Sequence, residues 1–229
     1  MRQSLLPAEI LITDRGSHPS VLEFLHGWRP PPGVLYKVLE SPGASVSVAR
    51  NLAIEAASYP DLAVIDDSVV LDSEWLAILW TALQSGCAAV TGVVRPAGTT
   101  VLDRAIGDVE TRLRIKADPA LLASSSRALV VTRAAWDGVG GYPEWLDAAQ
   151  DAIFATALAD SGAVISAQPD AVATWNPRLT VTGYLAWCYR VSRAMGIAGL
   201  ADRSEITRLI VGLACCSAVL SRASSPRHD

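Results

Sequence analysis

Short apolar runs that halt on an acidic or glycine-bearing turn limit this fold more than any other feature. Residues 8–13 (AEILIT) stop at Asp14-Arg15-Gly16-Ser17, and residues 62–65 (LAVI) run directly into Asp66-Asp67. Runs this short, bounded by turn residues, read as buried strands with polar loops at their carboxyl ends. Further strands are expected at 34–39, 88–94, 128–132, 163–167 and 171–175. Helical patterns fall between them: 21–28, ended by Pro30-Pro31-Pro32-Gly33; the serine-led, alanine-rich 47–58, closed by Tyr59-Pro60; 72–84; and 147–161. Residues 99–119 read as a helix or an extended crossing segment, and 138–143 (GVGGYP) as a loop. Strands alternating with helices imply an α/β layered domain with a mostly parallel sheet flanked by helices. Two helical pieces, 182–195 and 203–221, follow it. The expected division is one domain over 1–181 and a C-terminal helical extension with a tail over 182–229.

Composition narrows the function classes. The 229 residues suffice for one large domain with a substantial core. Hydrophobic residues make up 51% and charged residues 18%, with a mean hydropathy of +0.30, which points to a buried sheet or a membrane-facing surface. A net charge of −4 lacks the concentrated basic field that nucleic acid requires, so no nucleic-acid partner is expected. Cys87, Cys188, Cys215 and Cys216 form no CxxC pair, and His18, His26 and His228 are not at metal-ligand spacing. Thiols in a reducing cytoplasm are the expectation, and a zinc site is not. Residues 1–7 carry no apolar signal core. The longest apolar run, 209–220, is shorter than the roughly 20 residues a membrane-spanning helix takes. Trp175, Tyr184, Trp187 and Tyr189 near Arg178, Arg190 and Arg193 fit a helix lying at a membrane interface, and also an ordinary helix that caps the core. The expected location is the cytoplasm, with peripheral contact at the inner face of the membrane.

In open α/β sheets ligands bind beyond the carboxyl ends of the strands. Asp14 and Asp66-Asp67 stand at such ends, and Asp151 opens a helix after the Gly140-Gly141 loop. Each alone is an ordinary turn residue or helix cap. Sugar transfer from a nucleotide donor needs a carboxylate to deprotonate the acceptor hydroxyl. It also needs compensation of diphosphate charge and polar groups to hold base and ribose.

The order and spacing of these motifs resemble the family 2 glycosyltransferases, over roughly residues 9–196. Glu9-Ile10-Leu11-Ile12-Thr13-Asp14-Arg15-Gly16-Ser17 is similar to that family's base-binding strand and Asp-x-Gly-Ser loop. Gly43 through Ala49-Arg50-Asn51 is similar to its Ala-Arg-Asn helix start. Ala63-Val64-Ile65-Asp66-Asp67-Ser68 followed by Trp75-Leu76 is similar to its metal motif. Gly140-Gly141-Tyr142-Pro143-Glu144, Gln150-Asp151 and Thr174-Trp175-Asn176 match later segments. The resemblance implies a GT-A (Rossmann-like) fold and a nucleotide-sugar donor held by Asp14, Arg50, Asp66 and Asp67. It implies a divalent cation, Mn or Mg, at Asp67 and Asp66, and Asp151 as the base of an inverting transfer to an acceptor of unspecified identity. Trp145 is a candidate for stacking on the acceptor.

The departures are equally specific. Ser68 stands where the family has the cation-gripping Asp, Gln150 where it has the first acid of Glu-Asp, and Asn176 where it often has a histidine. A hydroxyl is a poor ligand for a hard dication, so the cation is expected weakly bound or absent. The resemblance also implies a βα unit ahead of the base-binding strand, where this sequence has seven residues. A strand supplied by another element, a partner chain or a second copy is one expectation, and a start further upstream another. Two functions therefore stay open: a glycosyltransferase, and a catalytically impaired glycosyltransferase-like scaffold or partner module. A dehydrogenase is disfavoured because no G-x-G-x-x-G follows a strand.

Overall fold

The protein is seen as a computed structural model that describes residues 3–98, 100, 103–107, 126–176 and 180–199. Its elements run β1 (Glu9–Asp14), α1 (Pro19–Gly27), β2 (Leu35–Glu40), α2 (Val46–Ala56), β3 (Asp61–Ile65), β4 (Val69–Leu71) and α3 (Trp75–Gln84). They continue with β5 (Ala89–Pro96), β6 (Ala128–Thr132), α4 (Arg133–Gly138), α5 (Gln150–Asp160), β7 (Ile165–Trp175) and α6 (Val181–Ile197). The helix expected at 203–221 and most of the crossing segment expected at 99–119 lie outside the described residues.

The strands form two sheets. β1 and β2 pair in parallel, Glu9 opposite Leu35 through Asp14 opposite Glu40. The second sheet has five strands in the order β3-β6-β5-β7-β4. Within it only β5 and β7 pair in parallel; β3–β6, β5–β6 and β4–β7 are antiparallel. The expectation of a mostly parallel sheet is therefore corrected to a mixed one. Its cause is local: after Asp66-Asp67 the chain doubles back as the three-residue β4, which periodicity alone does not reveal, and β6 enters between β3 and β5 from the opposite end. Among the described residues no ladder joins β1 to β3.

Two strands expected at 163–167 and 171–175 are one, β7. Its register against β5 jumps between Gly92 and Val93, so Gly92 faces Gln168 and Val93 faces Val172. A Cβ on Gly92 would sit within 3 Å of the Ala171 carbonyl oxygen and Trp75 Nε1. Glycine at 92 thus permits the irregularity to pack.

Alternation along β6 builds the core on both faces. Leu129 and Val131 point into a cluster with Ile54, Leu62, Val64, Trp136, Tyr142, Phe154 and Leu158. Ala128 and Val130 point the other way, against Trp75, Leu79, Leu83 and Ala173. Each such fully buried branched side chain contributes about 1.5–3 kcal/mol. Helix α6 presses Val191, Ala194 and Met195 on Leu146 and Ala148, and Tyr184 and Cys188 on Trp175 and Ile106. Its Trp and Tyr residues divide accordingly. Tyr184 is buried and stacks on Trp187, whereas Tyr189, Arg190 and Arg193 face outward. Among the described residues no helix is long and apolar enough to cross a membrane.

Candidate functional site

At the end of β1, Asp14 is buried, and its carboxylate accepts the amide of Gly16 at 2.9 Å and that of Ser17 at 3.1 Å. Hydrogen bonding from Ser17 and then from the Gly16 amide holds its carboxyl below the usual carboxylate range. The loop is tied to the start of α2, since Arg15 Nε donates to the Ala44 carbonyl at 2.7 Å. Ser45, two residues earlier than the expected Ser47, caps α2 by accepting the Val48 amide at 3.2 Å.

One turn into α2, Arg50 reaches across to two carboxylates from distant parts of the chain. Its Nη2 lies 2.5 Å from Asp66 Oδ1 at the end of β3, and its Nη1 lies 2.6 Å from Asp151 Oδ1 in the first turn of α5. The guanidinium also lies 5.3 Å from the centre of the Tyr142 ring. Burial alone would lower its pKa, but the paired charges of Asp151 and Asp66 outweigh that and raise it, so Arg50 is a permanent cation. Neighbouring Asn51 reads the backbone of Tyr142 in both directions, accepting its N–H at 2.9 Å and donating to its carbonyl at 2.9 Å. A Cβ on Gly141, which has φ of 75°, would lie about 3.1 Å from Asn51 Oδ1 and Trp136. Glycine at 141 is therefore a packing requirement.

Asp151 is aimed by an unusual backbone step. Ala149, just before α5, has φ of 58°, the sole positive φ at a non-glycine among the described residues. Such a conformation costs on the order of 1 kcal/mol and persists where surrounding structure enforces it. The second oxygen of Asp151 accepts the Ser126 amide at 3.2 Å. Ser126 Oγ in turn lies 2.8 Å from the Tyr142 hydroxyl, whose pKa burial pushes up, keeping the phenol neutral. Gln150 is buried beside this turn.

Two residues of the site escaped sequence reasoning. Arg127 lies over the Trp175 ring at 4.4 Å, with its Nε 3.7 Å from Asp66 Oδ2. Ser126 presents its amide to Asp151. Neither belongs to a motif, and only the antiparallel entry of β6 brings them to the end of β3. Of the expected residues, the structure gathers Arg50, Asp66 and Asp151. Asp14 occupies a separate corner on the other sheet. Asp67 is exposed, and Trp145 is 64% exposed on the loop that follows Glu144, itself 2.9 Å from Asn51 Nδ2. Ser68 and Asn176 are neighbours, the Asn176 amide donating to the Ser68 carbonyl at 3.1 Å. Among the described residues no group of three or more His, Cys, Asp or Glu could hold a metal ion.

The mixed sheet with helices on both faces has the GT-A glycosyltransferase fold, by its likeness to solved structures. A mannosyltransferase, PcManGT from Pyrobaculum calidifontis, solved with GDP-Man and Mn2+, superimposes with a TM-score of 0.65 at 19% identity, over 98% of this chain and 70% of that one. Residues 1–349 of S. aureus TarS, solved with UDP, give 0.58 at 16% identity, over 93% of this chain and 64% of that one. Residues 1–122 match the model of glycosyl transferase family 2, and the chain belongs to that family. The succinoglycan biosynthesis protein ExoM of Rhizobium meliloti (strain 1021) is 34% identical over 89 residues, 38% of this chain and 28% of ExoM. The chain thus spans little more than a quarter of that relative's length.

Proposed function

We propose that this chain is a glycosyltransferase that moves a sugar from a nucleotide-sugar donor to an acceptor hydroxyl with inversion, Asp151 acting as the base. The observation that supports it is the Arg50 clamp: Asp66 and Asp151 come from elements more than 80 residues apart and meet on one buried guanidinium. The donor classes to try first are uridine and guanosine diphosphate sugars, since UDP and GDP-Man occupy the similar structures named above. Asp14, at the end of β1, is positioned for the base, and the Arg50–Asp66 pair for the diphosphate. The exposed ring of Trp145 is the surface for an acceptor.

In this reading the paired guanidinium holds the Asp151 carboxylate in place until a donor arrives. A diphosphate beside Arg50 competes for those N–H donors and frees Asp151, which then deprotonates the acceptor hydroxyl for in-line attack at the anomeric carbon. The bond to the leaving diphosphate breaks from the opposite face, which gives inversion.

Asp151→Asn is expected to abolish sugar transfer, read as nucleotide release with candidate acceptors, while Kd for UDP or GDP stays within a few fold. Full turnover in Asp151→Asn would remove it as base. The second reading, an impaired scaffold, is favoured by Ser68, Gln150 and Asn176. It would be upheld by a wild-type protein that binds nucleotide yet turns over no donor.

A further inference from the structure

The family's metal motif and the residues actually present do not fit together. We infer that at this site the diphosphate charge of the donor is met by the guanidinium of Arg127, seated on Trp175, in place of a divalent cation. The inference rests on the donor-binding reading above and deepens it.

The donor set carries the case. Hard dications take six or more oxygen ligands, with carboxylates supplying most of the binding energy. Here the two positions that the resemblance assigns to the second metal carboxylate and to the histidine are Ser68 and Asn176. The structure brings both into one corner, joined by the 3.1 Å amide-to-carbonyl hydrogen bond. The two replacements therefore neutralise the same place. Asn176 Oδ1 is buried there with no hydrogen-bond partner among the described residues, a single amide oxygen that does not make up for a lost carboxylate. The remaining inward carboxylate, Asp66, already faces two guanidinium groups, Arg50 at 2.5 Å and Arg127 at 3.7 Å. A dication at Asp66 would have to displace or repel both.

Arg127 has the geometry of a phosphate ligand. Its Cζ lies 4.4 Å from the centre of the Trp175 ring, which holds the guanidinium by cation–π attraction. Trp175 precedes Asn176, so the stacked cation adjoins the corner that lacks its carboxylate. The side chain is 15% exposed, buried enough to raise the value of its charge and open enough to be reached. Only its Nε approaches Asp66, at a distance too long for a strong hydrogen bond, and a guanidinium carries five N–H donors in a fork suited to phosphate oxygens. Being one charge rather than two, it should give donor binding that depends on salt and not on chelators.

The test is titration calorimetry of the full chain with UDP and with GDP, in EDTA and in excess Mn2+, and with uridine and guanosine as phosphate-free controls. Wild type is expected to bind one nucleoside diphosphate with less than a twofold difference between EDTA and Mn2+. Arg127→Gln is expected to weaken that diphosphate by about 10- to 100-fold, the value of a charged hydrogen bond, while the nucleoside binds as in wild type. Arg127→Lys should recover part of the loss, and it serves as the test if Arg127→Gln does not fold. Tightening of wild-type binding by tenfold or more with Mn2+ would overturn the inference and leave the donor site standing, as would wild-type diphosphate binding by Arg127→Gln. Failure of wild type to bind either diphosphate under both conditions would instead overturn the donor reading itself.

Discussion

The two sheets hold their acidic residues in different ways. On the two-stranded sheet, every residue of β1 before Asp14 is half-exposed, and Asp14 finds its partners within three residues, in its own loop. On the five-stranded sheet, four consecutive residues of β6 are buried, and Asp66 finds its partners on α2 and ahead of β6. The first corner is a local motif on a thin support; the second exists only when the large core has formed. Loss of the core should therefore dismantle the Arg50 cluster, while damage to the small sheet should leave that cluster standing.

The largest effect should come from the core. Leu129→Ala, at 2% exposure, is expected to cost about 2–5 kcal/mol in denaturant unfolding. Its counterpart Leu11→Ala, on the half-exposed β1, is expected to cost about 1 kcal/mol. Equal costs would break the contrast between the sheets. Arg50→Met comes next. Removing one partner of a buried ion pair costs about 3–5 kcal/mol, and since Asp66 and Asp151 keep about a quarter of their side-chain surface in water, a loss of about 2–4 kcal/mol is expected by the same measurement.

A smaller effect concerns acid. Because hydrogen bonds lower the native pKa of Asp14, it contributes stability that is complete above the ordinary carboxylate range and disappears as pH falls through the lowered native value. Asp14→Asn should therefore flatten the acid side of the stability profile between about pH 5 and pH 3 relative to wild type. An unchanged profile would mean that the Asp14 loop opens independently of global unfolding. The smallest effect is at the outward face of α6. Binding to anionic vesicles at low salt, if Tyr189, Arg190 and Arg193 mediate it, should fall when both arginines become Gln, with no change in melting. Flotation of the variant equal to wild type would remove this face from any membrane role.

The same contrast explains what could be read from the chain. Strands β1 and β3 and their polar exits follow from short apolar runs, and Asp14 was recognisable because Gly16 and Ser17 stand beside it. Arg50, Asp66 and Asp151 were nameable one by one from motif order. Their joining on a single guanidinium was not, because 101 positions separate Arg50 from Asp151. Arg127 had no local signal at all: it matters through a ring contact with Trp175 and the antiparallel entry of β6. Short β4 was missed for a similar reason, since three residues after an acidic turn carry no period. For the α6 helix the sequence left core and membrane interface open, and its aromatic residues divide between core and solvent.

Hydrogen exchange with and without UDP or GDP tests most directly that the strand ends form a donor site. Bound nucleotide should slow exchange at amides in 14–17, 45–51 and 126–127, the segments around Asp14, Arg50 and Ser126, and leave α3 residues 79–83 unchanged. Exchange identical in those three segments with either nucleotide at saturating concentration, in a protein whose β6 amides remain protected, would contradict it.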